Sequence, residues 1–390
     1  MIEHKPIPNR NVKEIDEAGK IAKFYGFYPI VPPAIEKSDL EGTKDFDQFL
    51  HPAEKAALLR MYFEERMASS SQPRMFYCER PFGGLKKAGA ERKKSSRLDC
   101  AIVSLGSAKS VCECLSIQTG ISILNGIGYK NLEIEINSIG DKDSINEFQR
   151  RLVIFIRKNF NSFSADLRQA IKKDSLAIFK EKREECEKFQ AECPKPIDFL
   201  SEQSRLHFKE VIEFLEVMNI PYQINNNLVG DLDMGSETVF SIKSVGEELA
   251  SGFRFNRLAK KIGCKKDLSA TILNISAKLK KRLKKVKVKA VKPQFYLIQF
   301  GPEAKLKSFL ILQELYKAGV NVIHAIAKDK LGGQIGTAEV SEAPYIILIG
   351  QKEALENSAV IRNTVTRAQE IIPIPEFGAK AKELVSKHFA

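Results

Sequence analysis

The stretch DFLSEQSRLHFKEVIEFLEVMNIPYQINNNLVGDLDMGSETVF, Asp198 to Phe240, decides the fold. Its first half predicts an amphipathic helix from Ser201 to Asn219. Ser201 suits the N-cap, because its hydroxyl can accept an orphan backbone N–H; Ser204, three residues on, is not the Glu of a full capping box. Asn219-Ile220-Pro221-Tyr222 ends the helix. Strands are expected at 221–225, 237–244 and 249–255, with the loop Gly230-Asp231-Leu232-Asp233-Met234-Gly235 between the first two.

Working back toward the N-terminus, residues 13–25 place Ile15, Ala18, Ile21, Ala22 and Tyr25 on one helical face, and Gly26 is a natural stop. FYPIVPPAIE follows, whose prolines suit an edge or irregular strand. A helix is predicted over 53–69, a strand over 74–82 ending near Pro81, and a Gly-, Lys- and Ser-rich basic loop over 83–97. Residues 107–127 read as a helix, LEIEINSIG (132–140) as an alternating strand, and 143–192 as charged helix.

Toward the C-terminus, residues 278–292 (KLKKRLKKVKVKAVK) hold nine basic residues in fifteen and no acidic one, marking a domain boundary. Beyond it strand and helix alternate. Strands are expected at 295–300, 320–326 and 345–350, and helices at 302–318, after the polar turn that follows 326, and at 378–390. No internal repeat is visible. The expected organisation is a core over 1–277, a basic linker over 278–293 and a small α/β unit over 294–390.

The 390 residues suit two domains, and 43% hydrophobic residues can bury a core in each. No apolar run reaches the ~18–20 residues of a membrane helix, and the first twenty residues show no secretory h-region. Seven scattered cysteines read as reduced thiols, which places the protein in the cytoplasm. Cys112 and Cys114 are two apart on a helix and diverge. Cys186 and Cys193 lack a second ligand pair, so no metal site is read. The five histidines form no H-x-x-x-H pair, and no P-loop, Rossmann fingerprint or G-x-S-x-G occurs. A net charge of +13 favours a polyanionic partner, because each lysine or arginine that neutralises a phosphate releases counterions.

Several segments, in order, resemble the histidyl-tRNA synthetase family of class II aminoacyl-tRNA synthetases. Gly26-Phe27-x-x-Ile30-x-x-Pro33-x-x-Glu36 resembles motif 1, which builds the dimer interface in that class. Glu79-Arg80-Pro81 resembles the centre of motif 2, and Asn137-Ser138-Ile139-Gly140-Asp141 the end of a core strand. Asp198 to Phe240 tracks the family throughout, Gly252-x-Arg254-Phe255 resembles its Gly-Gly-Arg-Tyr segment, and 294–377 resembles its anticodon-binding domain. The resemblance covers nearly the whole chain and identifies it as a divergent paralogue. It implies an α+β fold: an antiparallel sheet flanked by helices, followed by an α/β anticodon-binding-like domain, in a homodimer.

Adenylate formation requires positive charge fixed against the α-phosphate, which arginine forks supply bidentately. At the matching positions this chain departs from the family. The arginine two residues before Glu-Arg-Pro is Tyr77, and the Gly-Arg-Tyr-Arg run is Gly84-Leu85-Lys86-Lys87. The Arg-Gly-Leu-Asp-Tyr-Tyr loop is Gly230-Asp231-Leu232-Asp233-Met234-Gly235, and motif 3's Gly-Leu-Glu-Arg is Ile275-Ser276-Ala277-Lys278. The segment that grips the substrate amine in relatives is Leu50-His51-Pro52-Ala53-Glu54-Lys55. Residues retained from the pocket are Glu79, Arg80, Asp233, Thr238 and Arg254; Lys86, Lys87, Arg254 and Lys278 are the cations available to compensate.

The expectation is a degenerate core that binds RNA without aminoacylating it: tRNA, a tRNA-like element or ribosomal RNA. Lys86, Lys87, Arg92, Lys93, Lys94 and Arg97 of the motif 2 loop, Lys280, Lys281, Arg282, Lys284 and Lys285 of the linker, and Gln334 are the candidate RNA contacts. No cofactor is expected. The first alternative is an active histidine–tRNA ligase using ATP and magnesium. The second is a protein-binding regulatory subunit, like that of ATP phosphoribosyltransferase, which typically lacks the C-terminal domain.

Overall fold

The computed structural model describes residues 10–46, 51–67, 73–83, 96–180, 184–264, 266–280, 283–288 and 292–389. In chain order the core contains β1 (Glu14–Ile15), α1 (Glu17–Phe24), β2 (Tyr28–Ile30), α2 (Lys37–Gly42), α3 (Pro52–Glu64), β3 (Arg74–Glu79) and β4 (Arg97–Leu105). Next come α4 (Val111–Gly126), β5 (Leu132–Ser138) and the helices α5 (Lys142–Asn159), α6 (Ala165–Lys173), α7 (Ala177–Lys180) and α8 (Glu184–Glu192). They are followed by α9 (Glu202–Val217), β6 (Tyr222–Ile224), β7 (Ser236–Ser244), β8 (Glu247–Arg254), α10 (Leu258–Lys261), β9 (Ala270–Lys278) and β10 (Val286–Lys287).

Eight of these strands form one sheet in the order β2-β3-β4-β9-β8-β7-β5-β6. Its six central strands pair antiparallel, while the edge pairs β2–β3 and β5–β6 are parallel. The proline-rich β2 sits at an edge, where a missing N–H costs no ladder bond. α1 starts at Asp16, which accepts the Gly19 N–H at 2.9 Å, and α9 starts at Ser201, which accepts the Ser204 N–H at 3.2 Å. Gly252 faces Phe240 across the β7–β8 ladder, and a Cβ there would lie 2.3 Å from the ring. Only glycine fits that approach.

Strand alternation gives the sheet two buried faces. On one, Tyr77, Cys100, Ile102, Leu273 and Phe240 pack under α1, α4 and α9. On the other, Cys78, Ala101, Val103, Ile272 and Phe253 pack with α3 and with the helices that follow β5. The 143–192 segment, expected as charged helix, is four helices, α5 to α8, whose apolar residues Phe148, Leu152, Leu167, Ile178 and Cys186 join this second cluster.

The C-terminal unit contains β11 (Phe295–Gln299), α11 (Pro302–Ala318), β12 (Val322–His324), α12 (Leu331–Ser341), β13 (Tyr345–Ile349), α13 (Gln351–Leu355), β14 (Ser358–Asn363), β15 (Gln369–Pro373) and α14 (Phe377–Phe389). Its sheet order is β12-β11-β13-β14-β15, parallel in the first three strands and antiparallel in the last two. The unit docks on the helical face of the core. Phe309 meets Phe214 with ring centres 4.8 Å apart, and Tyr316 lies against Phe24 and Tyr25 at 5.3 and 5.7 Å. Lys109 adds a polar latch, donating to the Ala327 carbonyl at 3.0 Å and pairing with Asp329, which Lys305 also reaches at 2.7 Å. No helix among the described residues is long and apolar enough to cross a membrane.

Candidate functional site

Three segments that the sequence reading assigns to substrate come together on the sheet face away from α4. They are residues 51–55, the end of β3 and the 230–235 loop. Arg80 Nε donates to Glu54 Oε2 at 2.7 Å, the two side chains being 10% and 6% exposed, and the Phe82 N–H donates to Glu54 Oε1 at 3.1 Å. Lys55 is 1% exposed, and its Nζ lies 5.0 Å from the centre of the Phe253 ring. Burial, reinforced by repulsion from Arg80, pulls the Lys55 amine down to about 7 against the opposing pull of Glu54 and Asp231.

The 230–235 loop closes over this group. The Asp231 carboxylate accepts the N–H groups of Asp233 and Met234 at 2.8 and 3.0 Å, and its carbonyl accepts the Gly235 N–H at 2.7 Å. A Cβ at Gly235 would lie 2.8 Å from that carbonyl oxygen, so the turn leaves no room for the tyrosine that relatives carry. Met234 and Leu232 are buried beside Phe253 and Phe255. Arg257 fixes the loop from outside by donating to the Leu232 carbonyl. The Phe253 ring and the buried Lys55 side chain thus lie beside this loop.

The retained candidates disperse. Glu79 ends β3 and Arg80 follows it, and the two side chains diverge: Arg80 turns to Glu54, whereas Glu79 pairs with Lys285 at 2.5 Å. Tyr77 is buried on the helical face near Gly19 and Cys100, away from the closed group. Thr238 is wholly buried, and Asp233 is an exposed partner of Lys261 at 2.6 Å. Arg254 is 0% exposed. It spans Glu113 Oε1 from Nε at 2.9 Å, the Ser107 carbonyl at 2.7 Å and the Lys109 carbonyl at 3.0 Å, and reaches Glu113 Oε2 as well. His207 Nε2 meets Glu113 Oε1 at 2.8 Å. Burial pushes the Glu113 carboxyl up, yet Arg254 and His207 overcome this and hold it at about 2. Arg254 therefore ties β8 to α4 and to the loop that carries Lys109, and its guanidinium is committed to that role.

The basic candidates divide differently. Arg97 opens β4 and Lys278 ends β9, and the two are direct cross-strand partners. The Leu279 N–H also donates to the Ser96 carbonyl at 2.7 Å. Arg97 and Lys278, far apart in sequence, thus lie side by side at one end of the sheet. The linker is strapped to the core. Lys280 donates to the Gly128 carbonyl at 3.1 Å and lies 5.4 Å from the Tyr129 ring centre, Lys285 pairs with Glu79, and β10 pairs antiparallel with β1. Lys284 is exposed. Lys86, Lys87, Arg92, Lys93, Lys94, Lys281 and Arg282 lie outside the described residues. Gln334 requires correction as an RNA contact: it is 0% exposed, accepts the Gln299 N–H at 3.0 Å and donates to the Gln299 and Lys328 carbonyls at 2.8 and 3.1 Å. It clips α12 to β11.

Residues 294–384 match the family model of the anticodon binding domain. Histidine–tRNA ligase 1 of Shouchella clausii is 26% identical over 346 residues, 86% of this chain and 81% of its own length. The histidine–tRNA ligase of Listeria monocytogenes serotype 4b is 28% identical over 335 residues, 83% of this chain and 78% of its own. The chain is a histidyl-tRNA synthetase-like member of the class II family. Its fold is that of the apo histidyl-tRNA synthetase of S. aureus, with a TM-score of 0.50 at 20% identity over 93% of each chain.

In this synthetase-like core, sequence reasoning located the loop and strand that close the site but missed what closes it. Lys55 stands in the segment matched to the family's amine-gripping stretch, and nothing local marks it as buried. Glu113 and His207, the partners that commit Arg254, lie 141 and 47 positions away in the chain and carry no motif. The one available signal is a glutamate in the first turn of the apolar helix VCECLSIQTGISIL, because a buried acid requires a cation opposite.

Proposed function

We propose that this chain is a histidyl-tRNA synthetase-like protein that binds tRNA or another structured RNA and does not make histidyl-adenylate. The carrying observation is the closed group at the sheet face. Lys55 lies on Phe253, Met234 is buried, and Gly235 is packed so tightly against Asp231 that no side chain fits. Arg80 is engaged with Glu54 and Arg257 with the Leu232 carbonyl, and Arg254, on the α4 face, is committed to Glu113. A single preorganised contact to developing charge is typically worth ~3–4 kcal/mol, so losing several removes useful adenylation. The RNA partner is supported by the anticodon-binding domain and by the meeting of Arg97 with Lys278 beside the strapped linker. In this reading 1–277 is a catalytic-like core, 278–293 a basic connector and 294–390 the anticodon-binding-like domain, and the protein works as a cytoplasmic homodimer.

The decisive test is ATP–pyrophosphate exchange with each amino acid in turn. No exchange is expected, and histidine-dependent exchange would restore the ligase reading. That second reading is favoured by the names of the relatives, which are histidine–tRNA ligases, and would bring ATP and magnesium as substrate and cofactor. A salt titration of tRNA binding tests the RNA arm. Neutralising about five phosphates predicts a slope of log K against log salt near −4 to −5, and a flat titration would remove the electrostatic surface from the argument.

A further inference from the structure

Beneath the basic linker the core presents carboxylates. Residues 278–292 hold nine basic residues and no acidic one, yet 283–288 lie against the core. β10 runs antiparallel to β1, with Val286 opposite Ile15 and Lys287 opposite Glu14, and the Val288 N–H donates to the Lys13 carbonyl at 2.9 Å. Lys285 Nζ meets Glu79 Oε1 at 2.5 Å at the end of β3. Asp16, the residue after β1, stands within electrostatic range of both members of that pair. Glu14, Asp16 and Glu79 thus form an acidic edge that receives the chain's own cations as a phosphate backbone would. The attachment is a light one. Its ladder is two residues long and Lys284 to Lys287 are all exposed. The Lys285 and Glu79 side chains are 46% and 31% exposed, so water and salt screen their attraction. A phosphate that reaches Lys285 displaces the Glu79 carboxylate, because two anions crowded on one exposed ammonium repel each other. We propose that this strap is a self-inhibitory contact: the acidic edge of Glu14, Asp16 and Glu79 holds Lys285 and Lys287 in the free protein, and an RNA backbone that takes over these cations lifts β10 off β1.

The proposal rests on the RNA-binding reading above and gives that binding a regulation. Hydrogen exchange on the full chain, free and saturated with a mixed tRNA pool, reads the strap directly. Amides of 286–288 should exchange at least about threefold faster in the complex, with β9 as the unchanged internal reference. Unchanged or slower exchange at 286–288 with tRNA bound overturns the proposal. This measurement uses the native protein and stands even where a variant fails to fold. Two variants then weigh the competition by fluorescence anisotropy with labelled tRNA. Glu79→Gln removes the internal carboxylate and should tighten binding by about two- to fivefold, the range an exposed ion pair allows. Lys285→Gln should weaken binding and make the slope of log K against log salt shallower by about one. Equal or weaker binding by Glu79→Gln, or a native slope in Lys285→Gln, also overturns it. A chain that binds no tRNA even at low salt overturns the RNA reading and this proposal with it, whereas tRNA binding over an intact strap overturns the proposal alone.

Discussion

Glu113→Gln tests whether Arg254 is a structural residue. The substitution keeps shape and removes charge, leaving a guanidinium with 0% exposure without its counterion. Removing one partner of a buried pair costs about 3–5 kcal/mol. The same contacts hold the Glu113 carboxyl down from 4.5 to about 2, a fall that corresponds to about 3 kcal/mol of stabilisation. Because the folded-state value is depressed, that stabilisation is fully present above pH 4.5 and is lost as pH falls toward 2. Urea denaturation at pH 7 should show the Glu113→Gln variant weaker by about 3 kcal/mol, with a midpoint lower by on the order of 1 M. Between pH 4.5 and 2 the native protein should lose stability more steeply than the variant. A variant within about 1 kcal/mol of the native protein at pH 7, with the same acid profile, would refute the assignment and return Arg254 to the list of free pocket cations.

Other perturbations follow from the same geometry. Lys55→Met should stabilise the fold at pH 7 and below, because the native protein there holds a buried charge that the unfolded chain hydrates freely. The gain, at most about 5 kcal/mol from a shift of 10.5 to about 7, should shrink as pH rises toward 10, and a pH-independent difference in urea midpoints would contradict it. Gly235→Tyr, which restores a family side chain, should destabilise by about 3 kcal/mol or more because its Cβ meets the Asp231 carbonyl at 2.8 Å; an unchanged midpoint would show that the loop can open. Asp329→Asn should loosen the latch between core and C-terminal unit, raising hydrogen exchange at 106–110 and 325–330 for less than about 1 kcal/mol of global stability. Unchanged exchange there would mean that the Phe214–Phe309 and Tyr316 contacts hold the units alone.

Sequence by itself determined the elements whose signal is local. The helix expected at 302–318 is α11, Pro302–Ala318, bounded by a proline that needs no N–H partner and by Gly319 in the left-handed region at φ 70°. The prolines after Gly26 suit an edge or irregular strand, and β2 is an edge strand; the alternation in 132–140 is β5. Periodicity does not mark β4 or β9, because both lie mid-sheet and are buried on both faces, so their apolar residues run on without alternation.

Tertiary structure alone decided what those residues do. Whether Arg254 is a free cation depends on Glu113, 141 residues earlier, and on the register that sets β8 against α4. Whether Arg97 and Lys278 form one surface depends on the β4–β9 ladder, and whether Gln334 meets RNA depends on its fit to the Gln299 backbone. Local sequence encodes period and burial because those act over a few residues. Charge pairing and enclosure act through space between segments that only the folded chain brings together.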